Sequence, residues 1–283
     1  MKPQLPTDLY QQVQRALQED VGTGDLTAAL IPIEQQAQAT VICRENAVIC
    51  GIPWFNAVFK QLNPAINIDW LVVEGQQINE NQPLCHLQGQ ARALLTGERC
   101  GLNFLQTLSA TATVTRHYVD LVADTGVVLL DTRKTIPLLR LAQKYAVVCG
   151  GGHNHRIGLF DAFLIKENHI IAAHSIQQAV KQARQIDSKA AVEVEVETLA
   201  ELKQALAVKV ESVLLDNFSL ADLRTAVALN QAHSNKTKLE ASGNVDNQSL
   251  PLIAKTGVDY ISIGALTKHI QAIDLSMRFT NVG

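Results

Sequence analysis

After residue 124 the chain repeats one plan: a short apolar run, a polar or charged end, then a helical stretch. Six such runs occur, at 127–130, 162–165, 191–196, 212–215, 238–241 and 260–263. The first hundred residues instead run through strands with helices added. These two patterns predict an α/β protein, an incomplete TIM-like α/β barrel behind an N-terminal α+β domain. Alternating strands and helices imply a parallel sheet covered on both faces, and right-handed crossovers fit either an open sheet or a barrel. The strand ends favour the barrel, because it gathers all of them at one mouth, where such folds carry their sites.

Composition narrows the class. At 283 residues, with 47% hydrophobic and 18% charged residues, the chain is in the globular regime. A net charge of −3 argues against general nucleic-acid binding, so a local cluster of cations becomes more informative. The N-terminus MKPQLPTDLY lacks a signal-peptide core and no apolar run reaches about 18 residues, so the expectation is a cytoplasmic protein with no membrane partner. The five cysteines contain no CxxC pair and read as reduced, buried side chains.

In the first part, Leu9, Val13, Ala16 and Leu17 follow helical spacing over 8–19, and the glycines and aspartates of 20–27 mark an ordered loop. Residues 37–43 and 47–50 read as a hairpin around Arg44-Glu45-Asn46, and Pro53 opens a helix to Leu62. Strands at 66–73 and 83–87 follow, separated by a turn at Gly75. A long helical stretch from 91 to 124 is expected to break at the small residues 109–113, and a domain boundary falls near residue 108. Arg99, inside that stretch, reads first as an ordinary surface cation, with a functional role as the lesser reading.

In the second part, helices are expected at 136–148, closed by the triple glycine 150–152, and behind the capping residues Ser175, Thr198 and Ser219. Further helices follow at 246–254 and in the terminal segment. The mouth sorts by charge. Arg133, Lys134, His155, Arg156 and Lys166 supply positive groups, and guanidinium forks suit carboxylate or phosphate. Glu195 and Asp216 suit Mg2+ or ribose hydroxyls. Ser242-Gly243-Asn244 and Gly264-Ala265-Leu266 follow the last two strands, where glycine lets backbone N–H groups approach a phosphate. Two alternatives stand beside this reading. Lys166 at a strand end also fits a Schiff-base lysine of a barrel aldolase. His153, His155 and His169 read poorly as a metal set, because neighbouring Arg and Lys repel a divalent cation.

Taken in order, EDVGTGDLT, GERCGLN, DTRKT, KYAV with its glycine run, NHRIGLFDAFLIKENH, VEVEVET, LLDNFS, EASGNV and ISIGALT resemble the quinolinate phosphoribosyltransferase family over nearly the whole chain. The resemblance implies an α+β domain over 1–108 and a barrel over 109–267, with the terminal segment, about 268–283, returning to the first domain. It implies phosphoribosyl transfer from phosphoribosyl pyrophosphate to quinolinate, with decarboxylation to nicotinate mononucleotide in NAD biosynthesis. By motif, Arg133, Lys134, His155, Arg156 and Lys166 match residues holding the quinolinate carboxylates. Glu195 and Asp216 match those facing ribose and Mg2+, and Ser242, Gly243 and Gly264 match the 5-phosphate site. Lys134, Lys166, Glu195 and Asp216 are the implied catalytic set. Arg99 matches an arginine that reaches the site from a neighbouring subunit of a homodimer or dimer-based hexamer. A relative acting on another base is the nearest competing expectation. The chain departs from the commoner family form DTRKTTPGLR at Ile136 and Leu138, beyond the cations, where the change bears on helix entry.

Overall fold

The computed structural model describes residues 3–233 and 236–282; of the expected terminal segment, Gly283 lies outside the described residues. The chain divides into two compact units, one of Met1–Arg116, Thr135–Gly151 and Leu266–Gly283, the other of His117–Lys134 and Gly152–Ala265.

In the first unit, α1 (Leu9–Val21) buries Leu9, Val13 and Leu17 and ends at Gly22. Then come β1 (Gln36–Cys43), β2 (Ala47–Val48), α2 (Ile52–Leu62), β3 (Asn67–Trp70), β4 (Gln77–Ile78), β5 (Pro83–Gln90) and α3 (Ala91–Asp120). The expected hairpin between 37–43 and 47–50 does not form. β1 pairs antiparallel with β5 on one edge and with the C-terminal strand Leu275–Val282 on the other, so β2 pairs with β4 instead. Pro53 lies in the first turn of α2, as expected, and the Glu74 carboxylate accepts the Gly51 and Ile52 N–H groups at 2.7 and 3.0 Å. Glycine at the N-cap has no side chain for that task.

α3 runs for 30 residues without the expected break at 109–113. Two of the small polar side chains at 109–113, Ser109 and Thr113, bond outward rather than competing with their own helix. Ser109 Oγ accepts the Cys50 N–H at 2.9 Å and donates to the Cys50 carbonyl at 3.0 Å, and Thr113 Oγ1 accepts the Val48 N–H at 2.8 Å.

The second unit begins with β6 (Val128–Leu130). α4 (Arg140–Cys149), which belongs to the first unit, starts four residues after the expected 136. The delay has a local cause: Leu138 has φ +66°, outside the right-handed region a helix needs. The rest of the second unit follows as β7 (Phe163–Ile165), α5 (Glu167–Ala172), α6 (Ile176–Ile186), β8 (Val192–Val196), α7 (Leu199–Ala207), β9 (Ser212–Asp216), α8 (Leu220–Ala232), β10 (Lys238–Ser242), α9 (Leu250–Ala254) and β11 (Tyr260–Ser262). From Leu266, within α10 (Ala265–Lys268), the chain belongs to the first unit again, with β12 (Leu275–Val282). Ser175, Thr198 and Ser219 each accept a backbone N–H from three residues ahead, capping α6, α7 and α8.

The six parallel strands are ordered β6-β11-β10-β9-β8-β7. The first strand therefore lies beside the last, as in a barrel wrap, while β6 and β7 are left as the two edges. The sheet is an unclosed barrel, as the strand count implies. Register sets its two faces, since in-register parallel neighbours point the same way. Val192, Val194, Val196, Val213, Leu215, Leu239, Ala241 and Ile261 share the outer face and are buried. Glu193, Glu195, Ser212, Asp216, Glu240, Ser242 and Ser262 share the inner face with Leu214.

Leu138 is 78% exposed, so its side chain gains little burial for holding a left-handed conformation. Replacing it by glycine should raise stability by about 1 kcal/mol, the order of the left-handed penalty for an L-residue. The check is an increased urea midpoint at unchanged m value.

Candidate active site

A short bridge at the free edge of β6 builds the cationic half of the site. Leu130 and His153 form a parallel bridge, with the His153 N–H on the Leu129 carbonyl at 2.9 Å and the Asp131 N–H on the His153 carbonyl at 3.1 Å. Asp131, 0% exposed, then accepts the Asn154 amide at 2.7 Å and the His155 N–H at 2.9 Å. These bonds fix residues 153–156 beside the end of β6. Arg156 is thereby brought near Arg133: burial, and then the Arg133 guanidinium, lower its pKa from the ordinary value, with Asp161 and Glu193 acting the other way. Two like charges held together favour an anion between them.

Lys134 lies over Gly264, where a Cβ would stand 3.0 Å from its Cδ. Glycine at 264 therefore makes room for the lysine stem. Lys166 follows β7 and places its Nζ 2.5 Å from Glu195 Oε2. The capping contacts of α5 fix its backbone, with the Lys166 N–H on His169 Nδ1 at 3.0 Å. Glu195 and Asp216 occupy adjacent strands on one face, and Asp216 also takes the Asn217 amide at 2.8 Å.

The turns after β9 and β10 interlock. Asn217, Gly243 and Asn244 have φ of +54°, +103° and +48°, and the Asn217 N–H reaches the Ser242 carbonyl at 2.9 Å. A Cβ on Gly243 would meet Asn217 Oδ1 at 2.2 Å, so any other residue would displace the Asn217 side chain as well as strain the backbone at φ +103°. Ser242 is in register with Asp216, which puts the sugar and phosphate candidates side by side.

The second unit thus contains ten of the eleven expected residues: Arg133, Lys134, His155, Arg156, Lys166, Glu195, Asp216, Ser242, Gly243 and Gly264. Arg99 is exposed on α3 in the first unit. A cavity of about 680 Å³ in the first unit, lined by α1, α3 and residues 137–139, contains none of the expected residues.

Residues 25–109 match the model of the quinolinate phosphoribosyl transferase N-terminal domain, and residues 111–278 that of its C-terminal domain. The chain belongs to the quinolinate phosphoribosyltransferase family. A probable carboxylating nicotinate-nucleotide pyrophosphorylase of Synechocystis sp. is 41% identical over 94% of this chain and 90% of its own length. A probable enzyme of the same name from Bacillus subtilis is 40% identical over 93% of this chain and 90% of its own length. Among solved structures, the nicotinate-nucleotide pyrophosphorylase of Francisella tularensis is 50% identical, with a TM-score of 0.95 over 99% of both chains.

The sequence motifs of this phosphoribosyltransferase did not disclose the layer beneath its cations. Glu193 Oε2 lies 2.8 Å from His155 Nε2, Ser212 Oγ donates to Glu193 Oε1 at 2.9 Å, and Glu240 Oε2 lies 3.5 Å from the same His155 nitrogen. Period-two alternation on β8 and β10 carries the only signal for this cluster, by placing both glutamates on the inner face. Glu240 is 1% exposed, and burial followed by the Glu193 charge pushes its carboxyl up to about 8. In the unfolded chain the same group titrates near 4.5. The folded state thus holds a proton that the unfolded state gives up between these values, and stability falls as pH rises through that window. Glu240→Gln, which keeps the shape of the neutral acid, should flatten this slope. Its melting temperature should exceed that of the parent increasingly from pH 5 to pH 8, and scans at stepped pH check it.

Proposed function

We propose that the chain transfers the phosphoribosyl group of phosphoribosyl pyrophosphate to quinolinate with decarboxylation, yielding nicotinate mononucleotide, pyrophosphate and CO2 for NAD biosynthesis. The observation that carries this reading is the nearness of Arg133, after β6, to Arg156 in the following loop, in the same unit as the adjacent-strand carboxylates Glu195 and Asp216. Arg133, Arg156, Lys134 and Lys166 hold the two quinolinate carboxylates, and Arg99 of a second copy completes that pocket. The ring nitrogen attacks C1 of the sugar and the C1–O bond to pyrophosphate breaks. The C–COO⁻ bond beside the quaternised nitrogen then breaks, its electron pair stays on the ring carbon, and a proton replaces CO2. Positioning of two anions and exclusion of water supply much of the rate.

Lys166 serves as a binding cation. Its Nζ is engaged in an ion pair with Glu195, the arrangement of a binding cation rather than of an amine presented for the Schiff-base chemistry of an aldolase. Glu195 and Asp216 also stabilise positive charge that develops on the sugar as pyrophosphate departs. Ser242, Gly243 and Gly264 receive the 5-phosphate, supported by the left-handed turns at 217 and 243–244. Mg2+ fits the carboxylate oxygens of Glu195 and Asp216 and would be held there, where it supplies neutralisation of the leaving pyrophosphate. The working form is a homodimer, or a hexamer built from dimers, in the cytoplasm. The cytoplasmic assignment draws support from the five cysteines, all free and buried.

Incubation with quinolinate and phosphoribosyl pyrophosphate should release pyrophosphate and CO2 in equal amounts; release of neither would sink the reading. Arg133→Ala should weaken quinolinate binding by about 2–4 kcal/mol, the cost of a charge-assisted bidentate contact, as measured by titration calorimetry. Shared sites predict that inactive Arg99→Ala and Lys166→Ala chains regain activity when mixed under conditions of proven subunit exchange. No recovery would place each site within one chain.

A further inference from the structure

His155 stands in the cation set by motif, yet its hydrogen bonds describe a different species. Nδ1 accepts the Arg156 N–H at 2.7 Å, so that nitrogen presents a lone pair. Nε2 meets Glu193 Oε2 at 2.8 Å and lies 3.5 Å from Glu240 Oε2, and an ionised Glu193 accepts a proton held on that nitrogen. An imidazole with a lone pair on Nδ1 and a proton on Nε2 is neutral, and the bond at one nitrogen fixes the state of the other.

The surroundings are arranged to hold that tautomer. Glu193 faces the ring from β8, steadied on its other oxygen by Ser212, and Glu240 faces it from β10 with Ser262 nearby. Asp131, from the end of β6, accepts the His155 N–H, and Arg156 adjoins it in the same loop with Arg133 beyond. A metal on His155, Glu193 and Glu240 would suit the clustering of their ligand atoms within 4.8 Å, but it needs the nitrogen that the Nε2 proton occupies.

We propose that His155 is a neutral positioning residue, oriented by Glu193, that holds the Arg156 backbone so that the Arg156 guanidinium stays beside Arg133 to receive a quinolinate carboxylate. His155 then contributes no charge to the pocket and makes no direct ion pair with substrate. The substrate part of this proposal rests on the reaction proposed above; the protonation part does not.

The test uses the full-length enzyme labelled with 15N in its histidine rings, with the His155 resonances assigned by their loss in H155N. Long-range 1H–15N spectra of the free enzyme at pH 6.5 should show an unprotonated Nδ1 and a protonated Nε2. Kinetics supply the second arm. H155K, which restores a cation but cannot accept the Arg156 N–H, should raise the quinolinate KM at least about tenfold, the equivalent of one lost hydrogen bond of 1.4 kcal/mol. H155N, whose Oδ1 can accept that N–H, should retain more quinolinate affinity than H155K. An imidazolium at pH 6.5, a stoichiometric metal retained on the ring, or H155K binding quinolinate better than H155N would overturn the proposal. Failure of the parent enzyme to use quinolinate would sink the functional reading and leave the protonation state of His155, read from the spectra, unaffected.

Discussion

One buried carboxylate organises the cationic side of this fold. Asp131 ends the first barrel strand with no solvent exposure and grips the backbone of His155 and the amide of Asn154. A buried carboxylate needs such donors, because leaving it unpaired costs far more than a neutral group would. The loop that satisfies it is the one carrying Arg156, so the requirement of the acid becomes the placement of the guanidinium. The bridge between Leu130 and His153 extends the edge of β6 by the same means.

The inner face of the sheet obeys a related constraint. Period-two alternation turns the valines and leucines of β8, β9 and β10 outward, Leu214 excepted, and what remains inward is largely polar. Near the strand ends those groups face the mouth, as Glu195, Asp216 and Ser242. Deeper in, Glu193 and Glu240 must satisfy each other, with one proton shared out and one histidine between them. The difference in depth separates two classes of acid on the same strands: ones placed for ligands and ones that support the layer above.

Much of this was legible in the chain. Strand ends are marked locally, by a change from apolar to charged residues, and Ser175, Thr198 and Ser219 announce their helices through bonds spanning three residues. Pairing across long separations was not legible. Residues 37–43 and 47–50 are close enough in sequence for a hairpin, yet both edges of β1 are taken by distant partners. The break expected in α3 failed because Ser109 and Thr113 serve a neighbouring segment's backbone, which no local pattern reveals. The family motif marked Leu138 as unusual, but only the backbone shows it in a left-handed conformation that delays α4. The motif likewise named His155 as a cation, whereas its charge depends on two bonds formed in space.

The pairing of β1 with β12 also bears on how the protein is made. Residues 37–43 lie against 275–282, and β6 lies against β11, so each of these strands waits for a partner synthesised long after it. Contacts so distant in sequence are slow to form, since loop closure must be met before they stabilise anything. The antiparallel sheet stays incomplete on the ribosome until translation has passed residue 282 and the segment has cleared the exit tunnel. Until then β1 exposes an unpaired edge, the kind of template on which nascent chains associate wrongly. Removal of β12 would leave that edge permanently open, making this strand a checkpoint for maturation of the N-terminal sheet.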